Sequence, residues 1–201
     1  MSASRIVIID NTALVYLTHL QEHCNIFYFL RSIFTRVLIP GEIKNEYEKG
    51  VIKHPQRNSL LQKIRINSGF YALCTRYDSI ALAVLKSTKG IDPGEAEAAA
   101  QHNKVGAYCI ISDDNDFTKA ILQIYPGIKI ITSLHIIAML ELQKIVISST
   151  EIKLKLCEIR PYKSKHLREA YQDTAKTLGL NIHKKAISKM TSLTKLKQGI
   201  V

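Results

Sequence analysis

Arg5-Ile-Val-Ile-Ile-Asp10 is a run of β-branched residues closed by a carboxylate, the pattern of a strand buried on both faces of a parallel sheet. A second stretch, Tyr108-Cys-Ile-Ile-Ser-Asp-Asp-Asn-Asp116, has the same form, an apolar strand running into acids. Between and around these two the periodicity is helical. Leu14, Leu17 and Leu20, then Ile26, Phe27, Leu30, Ile33 and Phe34, predict two helices broken near residues 22–25. Val37-Leu-Ile39 reads as a further strand, and Pro40-Gly41 opens a helix that runs through Tyr47 and stops at Gly50. Residues 51–69 show no clear pattern. Phe70 to Leu73 suggests a strand and Asp78 to Ser87 a helix stopped by Lys89-Gly90. Asp92 is placed to cap the next helix, with Glu95 at its third position. Helices over Phe117 to Ile124 and Leu134 to Leu142 flank a strand over Ile128 to Ile131. Strands alternating with helices imply an α/β fold, a mainly parallel sheet between two helical layers. After Ser148 only helical spacing remains: Ile152 to Ile159, Leu167 to Leu178 and Ile187 to Leu196.

With 201 residues, 46% of them apolar and 22% charged, the chain suits one α/β domain, or one domain with an appended helical segment. Such a domain needs no disulfide or structural metal to hold it. The four cysteines, Cys24, Cys74, Cys109 and Cys157, form no CxxC pair, and Cys109 in its apolar run reads as a buried reduced thiol. The N-terminal residues are too soon interrupted by charge for a signal peptide. No apolar stretch approaches the roughly 20 residues of a membrane span, so a cytoplasmic, soluble protein without a membrane partner is expected.

In parallel α/β sheets, ligands gather beyond the carboxyl ends of the strands. Asp10 and Asp113-Asp114 end two predicted strands there, and Glu46 and Glu95 lie on helices that follow a strand or loop. Each acid alone also suits a helix cap or a solvated surface. Together, four carboxylates would raise one another's pKa unless a cation neutralised them. Hard oxygen donors select Mg²⁺ or Mn²⁺ over zinc, and the seven histidines form no pair at ligand spacing. Such a site can orient and deprotonate a water for in-line displacement at phosphorus. Asp10-Asn11-Thr12 lacks the second acid of a haloacid-dehalogenase phosphatase, and no glycine-rich phosphate loop is present.

With these motifs in place, the chain resembles the PIN-domain superfamily. The matching segments are IVIIDNTALVYL (residues 6–17), VLIPGEIKNEYEKG (37–50), IDPGEAEAAA (91–100), IISDDNDF (110–117) and the closing IKIITSLHIIAMLELQKIV (128–146). The DPGEAEA and DD elements carry the resemblance; the first motif alone would be weak. The resemblance covers roughly residues 5–146, so a nuclease domain is expected over residues 1–147, with the helical, basic stretch over 148–201 as an extension. It further implies cleavage of RNA, or occasionally DNA, with Mg²⁺ or Mn²⁺. By position, Asp10, Glu46, Glu95 and Asp114 match the catalytic acids. Asp10, Glu95 and Asp114 would hold the metal, with Asp116 as an auxiliary ligand. Thr12 matches the hydroxyl residue beside the first acid, Glu97 is the alternative to Glu95, and Asp113 would support Asp114. The subgroup often carries an arginine after the Asp-Asp pair. Here Lys119 is the nearest base, with a supporting role at a phosphate. Related PIN nucleases act as toxins, which makes an acidic antitoxin a candidate partner, and a homodimer is the assembly the family implies. A catalytically weak, nucleic-acid-binding PIN module is the competing reading.

The formal charge of +11 favours a polyanionic partner. Residues 151–201 hold twelve Lys/Arg against four Asp/Glu, or +8, and the first 150 residues hold the other sixteen against thirteen. Lys163, Lys165, Arg168, Lys184 and Lys185 are therefore the expected RNA-backbone contacts, since an acidic site cannot itself hold phosphates.

Overall fold

The computed structural model describes residues 5–21, 25–50, 69–145, 150–160 and 162–194. The predicted break at residues 22–25 and the unpatterned stretch 51–69 fall mostly outside them, as do Cys24, Lys195 and Lys197. Five strands, β1 (Ile6–Ile9), β2 (Arg36–Pro40), β3 (Tyr71–Cys74), β4 (Cys109–Ile111) and β5 (Ile130–Ile131), form one sheet. Their order is β3-β2-β1-β4-β5 and every pairing is parallel. Val7, Ile8, Ile9, Val37, Ile39, Ile110 and Ile111 are buried from both sides, which is why these strands read as unbroken apolar runs.

Ten helices among the described residues flank the sheet in a three-layer sandwich: α1 (Asn11–Gln21), α2 (Ile26–Ile33), α3 (Gly41–Lys49), α4 (Ser79–Lys86), α5 (Pro93–Val105), α6 (Asn115–Ile124), α7 (Ser133–Leu142), α8 (Thr150–Ile159), α9 (Ser164–Thr177) and α10 (Lys184–Met190). The local signals are visible in their termini. Asp78 caps α4 by accepting the Ile80 and Ala81 backbone N–H groups, each at 3.0 Å. Asp92 and Glu95 form a reciprocal capping box at the start of α5, and Gly106 ends that helix at φ 62°, where a side chain would be strained. The predicted strand over Ile128 to Ile131 shortens to two residues, because only Ile130 and Ile131 find a partner, in β4.

Chain order matters most at β1. The chain runs from β1 outward through β2 and β3, then returns to add β4 and β5 on the other side. The carboxyl ends of β1 and β4 therefore form the topological switch point, where neighbouring connections leave in opposite directions and a crevice opens. Asp10 and Ser112-Asp113-Asp114 lie at that crevice.

The three C-terminal helices share the core with the rest. Ile152, Leu156, Leu167, Ala170, Tyr171 and Ile187 belong to the same buried cluster as the sheet. Lys153, 1% exposed, places its ammonium 3.0 Å from Glu141 on α7 and donates to the Met190 carbonyl of α10 at 2.9 Å. The Tyr171 hydroxyl donates to the same Glu141 carboxylate. One buried charge pair thus joins α7, α8, α9 and α10. No helix among the described residues is long and apolar enough to cross a membrane.

Candidate active site

The two acid-bearing turns are held in register by backbone and hydroxyl groups. The Asp10 N–H donates to the Ile111 carbonyl at 2.9 Å, extending the β1–β4 ladder by one bond. Thr12 Oγ1 and Ser112 Oγ donate to Asp10 Oδ2 at 2.5 and 2.9 Å. The same two hydroxyls accept backbone N–H groups, Thr12 from Asp113 at 3.3 Å and Ser112 from Asp114 at 3.1 Å. Each hydroxyl therefore joins the β4–α6 turn to the Asp10 carboxylate. Burial raises the Asp10 pKa despite these bonds, and the charge of Asp92 adds to the rise.

Glu46 reaches the site from α3. Burial, then the charges of Asp92, Asp10 and Glu42, push its carboxyl up to about 7, against a hydrogen bond from the Asn11 side chain. Glu95 comes from α5. Burial raises its carboxyl to about 8, opposed by the Asp92 N–H that it accepts and reinforced by the charges of Asp92, Asp10 and Asp114. Asp114 closes the group from the start of α6, where Oδ1 caps the helix by accepting the Asp116 and Phe117 N–H groups at 2.7 and 3.0 Å. Of the four expected acids, Asp10 thus acts electrostatically on both Glu46 and Glu95, and Asp114 acts on Glu95.

Gly94 explains how α3 and α5 come so close. A Cβ there would lie 2.8 Å from Glu46 Oε1 and 3.0 Å from Ile43 Cγ1. Only glycine leaves the Glu46 carboxylate its place.

The other predicted site residues lie elsewhere. Glu97, two positions from Glu95 and so on a different face of α5, accepts the Glu42 N–H at 2.7 Å and Gln101 Nε2 at 3.2 Å. It anchors the start of α3. Asp113 turns away into the protein. Ser133 Oγ donates to it at 2.5 Å, the Ser133 N–H lies at 3.2 Å, and the Tyr162 hydroxyl completes its shell. Asp116 and Lys119 form an exposed pair at 3.4 Å on the outside of α6. Lys163, Lys165, Arg168, Lys184 and Lys185 are all exposed, and Lys165 stands 3.8 Å from Glu169.

In the sequence, four residues at the site gave no sign of a part in its chemistry. Asp92, read there as a cap, adds its charge to Asp10, Glu46 and Glu95. Asn11 hydrogen-bonds Glu46, while its own Oδ1 is buried with no hydrogen-bond partner. Arg160 donates to the Asp113 carbonyl and hydrogen-bonds Tyr16, and Tyr162 binds the Asp113 carboxylate. Arg160 and Tyr162 lie between two helical patterns with nothing local to mark them; only the tertiary fold brings them to Asp113.

Among the described residues no three His, Cys, Asp or Glu side chains stand together in a metal-holding group. Each carboxylate is engaged by a nearby hydroxyl, amide or helix N-terminus instead. The donor set nonetheless fits a hard divalent cation: it is all oxygen, it is mutually repulsive, and the orphaned Asn11 Oδ1 stands beside it.

A family model described as a PIN domain matches residues 6–179, from the first residue of β1 to just beyond α9. No curated protein matches the chain.

Proposed function

The chain belongs to the PIN-domain family, whose members are generally divalent-metal-dependent nucleases, and from that premise we propose that it is an endoribonuclease. The observation that carries this reading is the coupling of Glu46 and Glu95 to Asp10, with Asp114 acting on Glu95, at the sheet's switch point. Mg²⁺ or Mn²⁺ held by Asp10, Glu95 and Asp114, with Glu46 completing the site, would supply the Lewis acidity for hydrolysis at phosphorus.

The chain's own residues do the rest. Thr12 and Ser112 fix the Asp10 carboxylate by two hydrogen bonds to Oδ2. Asn11 holds Glu46 by its amide and leaves Oδ1 as a further acceptor for a water or a cation-bound ligand. Glu46 would complete the cation's ligand set or position the attacking water. The exposed Lys163, Lys165 and Arg168 at the start of α9 hold the RNA backbone that the acids would repel. The same basic surface is complementary to an acidic antitoxin, which is the setting we favour for a toxin role.

The test is cleavage of a mixed single-stranded RNA and DNA pool with Mn²⁺, Mg²⁺ or EDTA, comparing wild type with Asp10→Asn. RNA cutting that needs metal and vanishes in the variant supports the proposal. Because no three carboxylates stand together among the described residues, a binding module without turnover is the second reading. Retained RNA binding with no cutting under either metal would favour it.

A further inference from the structure

Beside the acidic group, on the same edge of the sheet, a groove of about 430 Å³ runs between α6, α7 and α9. Asn115, the residue after Asp114, lines one end, and Thr132 at the end of β5 lines its wall. Leu134 and Ala170 supply buried apolar surface. We propose that this groove is a nucleobase subsite for single-stranded RNA, holding a base next to the scissile phosphate and preferring bases that carry an amine.

The RNA assignment rests on the nuclease reading above; the base-binding character rests on the groove itself. Tyr162 and His166 place their rings 6.0 Å apart, edge to face, and the Arg160 guanidinium lies 5.4 Å from the Tyr162 ring centre. Aromatic rings and guanidinium planes are the surfaces on which unpaired RNA bases stack. Tyr162 is not free to drift, because its hydroxyl is bound to the buried Asp113. The stacking surface is therefore fixed relative to the turn that carries Asp114.

Charge then decides which part of a nucleotide enters. Glu169 and Asp173, one turn apart on α9, both line the groove, and both are exposed. Lys165 stands 3.8 Å from Glu169 and His135 3.9 Å from Asp173, yet both carboxylates stay more than half exposed. Against the single guanidinium of Arg160 in the lining, they repel a phosphate and accept hydrogen bonds from N–H donors. A neutral base fits where a phosphate does not. Cytosine, adenine and guanine present an exocyclic amine, with two N–H bonds, to such acceptors, whereas uracil offers only its single ring N3–H. Asn115 and Thr132 offer amide and hydroxyl groups for the remaining polar atoms of the base edge.

The experiment is fluorescence anisotropy with labelled single-stranded RNAs of about eight nucleotides, a length within the usual span of single-strand sites. Oligo(C), oligo(A) and oligo(U) are titrated in EDTA, so that no metal-dependent cutting interferes. Oligo(C) and oligo(A) are expected to bind about tenfold more tightly than oligo(U), the worth of one well-placed polar contact to a base edge. The double substitution Glu169→Gln and Asp173→Asn lies on the exposed face of α9 and should shrink that gap to about twofold or less. His166→Ala should weaken all three by roughly three- to tenfold through lost stacking. Equal binding of the three oligomers to wild type, or a gap that survives the double substitution, overturns the proposal. A base preference that the double variant abolishes, in a protein that cuts no RNA with Mn²⁺, would sustain the groove while removing the nuclease reading. Metal-dependent cutting without any base preference would do the reverse.

Discussion

Glu95 is the residue whose replacement separates the acidic group's function from its cost to the fold. Its carboxylate is 7% exposed, accepts the Asp92 N–H at 3.0 Å and is subject to the charges of Asp92, Asp10 and Asp114. Burial foremost, and then those charges, move its pKa from 4.5 to about 8. The folded protein thus binds this proton more tightly than the unfolded chain does. The ionised form destabilises the fold, a cost absent below about pH 4.5 and complete above about pH 8. At ~1.4 kcal/mol per unit the full shift would amount to ~5 kcal/mol, and residual solvent screening and relaxation of the neighbouring acids reduce it to ~2 kcal/mol.

Glu95→Gln removes the charge but keeps an oxygen able to accept the Asp92 N–H. The metal-free variant should therefore gain ~2 kcal/mol at pH 8.5, which for a chain of this size raises Tm by about 4–8 °C. At pH 5 folded wild type already carries the proton, and the gain should shrink to ~1 °C. Thermal unfolding followed by circular dichroism in EDTA at both pH values is the measurement. An unchanged or lower Tm at pH 8.5, or an equal gain at pH 5, would refute the reasoning. With Mn²⁺ added the order should invert, because only wild type is stabilised by binding the cation.

Other consequences are as direct. Gly94→Ala should displace the Glu46 carboxylate from its 2.8 Å approach, lowering cleavage by roughly tenfold or more while Tm falls by only a few degrees; steady-state kinetics beside thermal unfolding check the pair. Tyr162→Phe leaves the buried Asp113 short of a donor and should cost ~1–3 kcal/mol, read by urea unfolding. Lys153→Met removes the charge partner of Glu141, leaving it the Tyr171 hydroxyl, and leaves the Met190 carbonyl without its donor; it should cost ~3–5 kcal/mol by the same measurement. Replacing Lys163, Lys165 and Arg168 together by Ala should weaken RNA binding for all sequences and flatten its salt dependence, seen by titration at two ionic strengths.

Residues at element ends were the readable ones. Asp10 and Glu95 sit at fixed offsets from a β-branched run and a Pro-Gly helix start, and those offsets are local. The choice between Glu95 and Glu97, or between Asp113 and Asp114, depended on which way a side chain leaves the backbone. Glu97 is turned toward α3 by the helix period, and Asp113 is drawn inward by Ser133 at the start of α7, twenty residues further along the chain. β5 was overextended because Ile128 is apolar but unpaired, and periodicity does not report pairing. The C-terminal helices were legible as helices, yet their packing on α7 was not, because no local pattern encodes the Lys153–Glu141 pair.

The adjacent aspartates show how that tertiary information enters the chemistry. Asp114 faces the acidic group, while Asp113, one residue earlier, is bound by α7 through Ser133 and by the α8–α9 connection through Tyr162. Arg160 holds the carbonyl of the same residue and reaches Tyr16 on α1, the helix that begins beside Asp10. The turn that presents Asp114 is thus clamped from three sides, two of which depend on residues after 150. Removing the C-terminal helices would uncover the face of α7 on which they pack and release this clamp together, so truncation cannot isolate an RNA-binding role for the basic segment. Neutralising its exposed charges leaves the clamp intact. That makes the charge substitutions, rather than deletion, the clean measure of what the basic surface contributes.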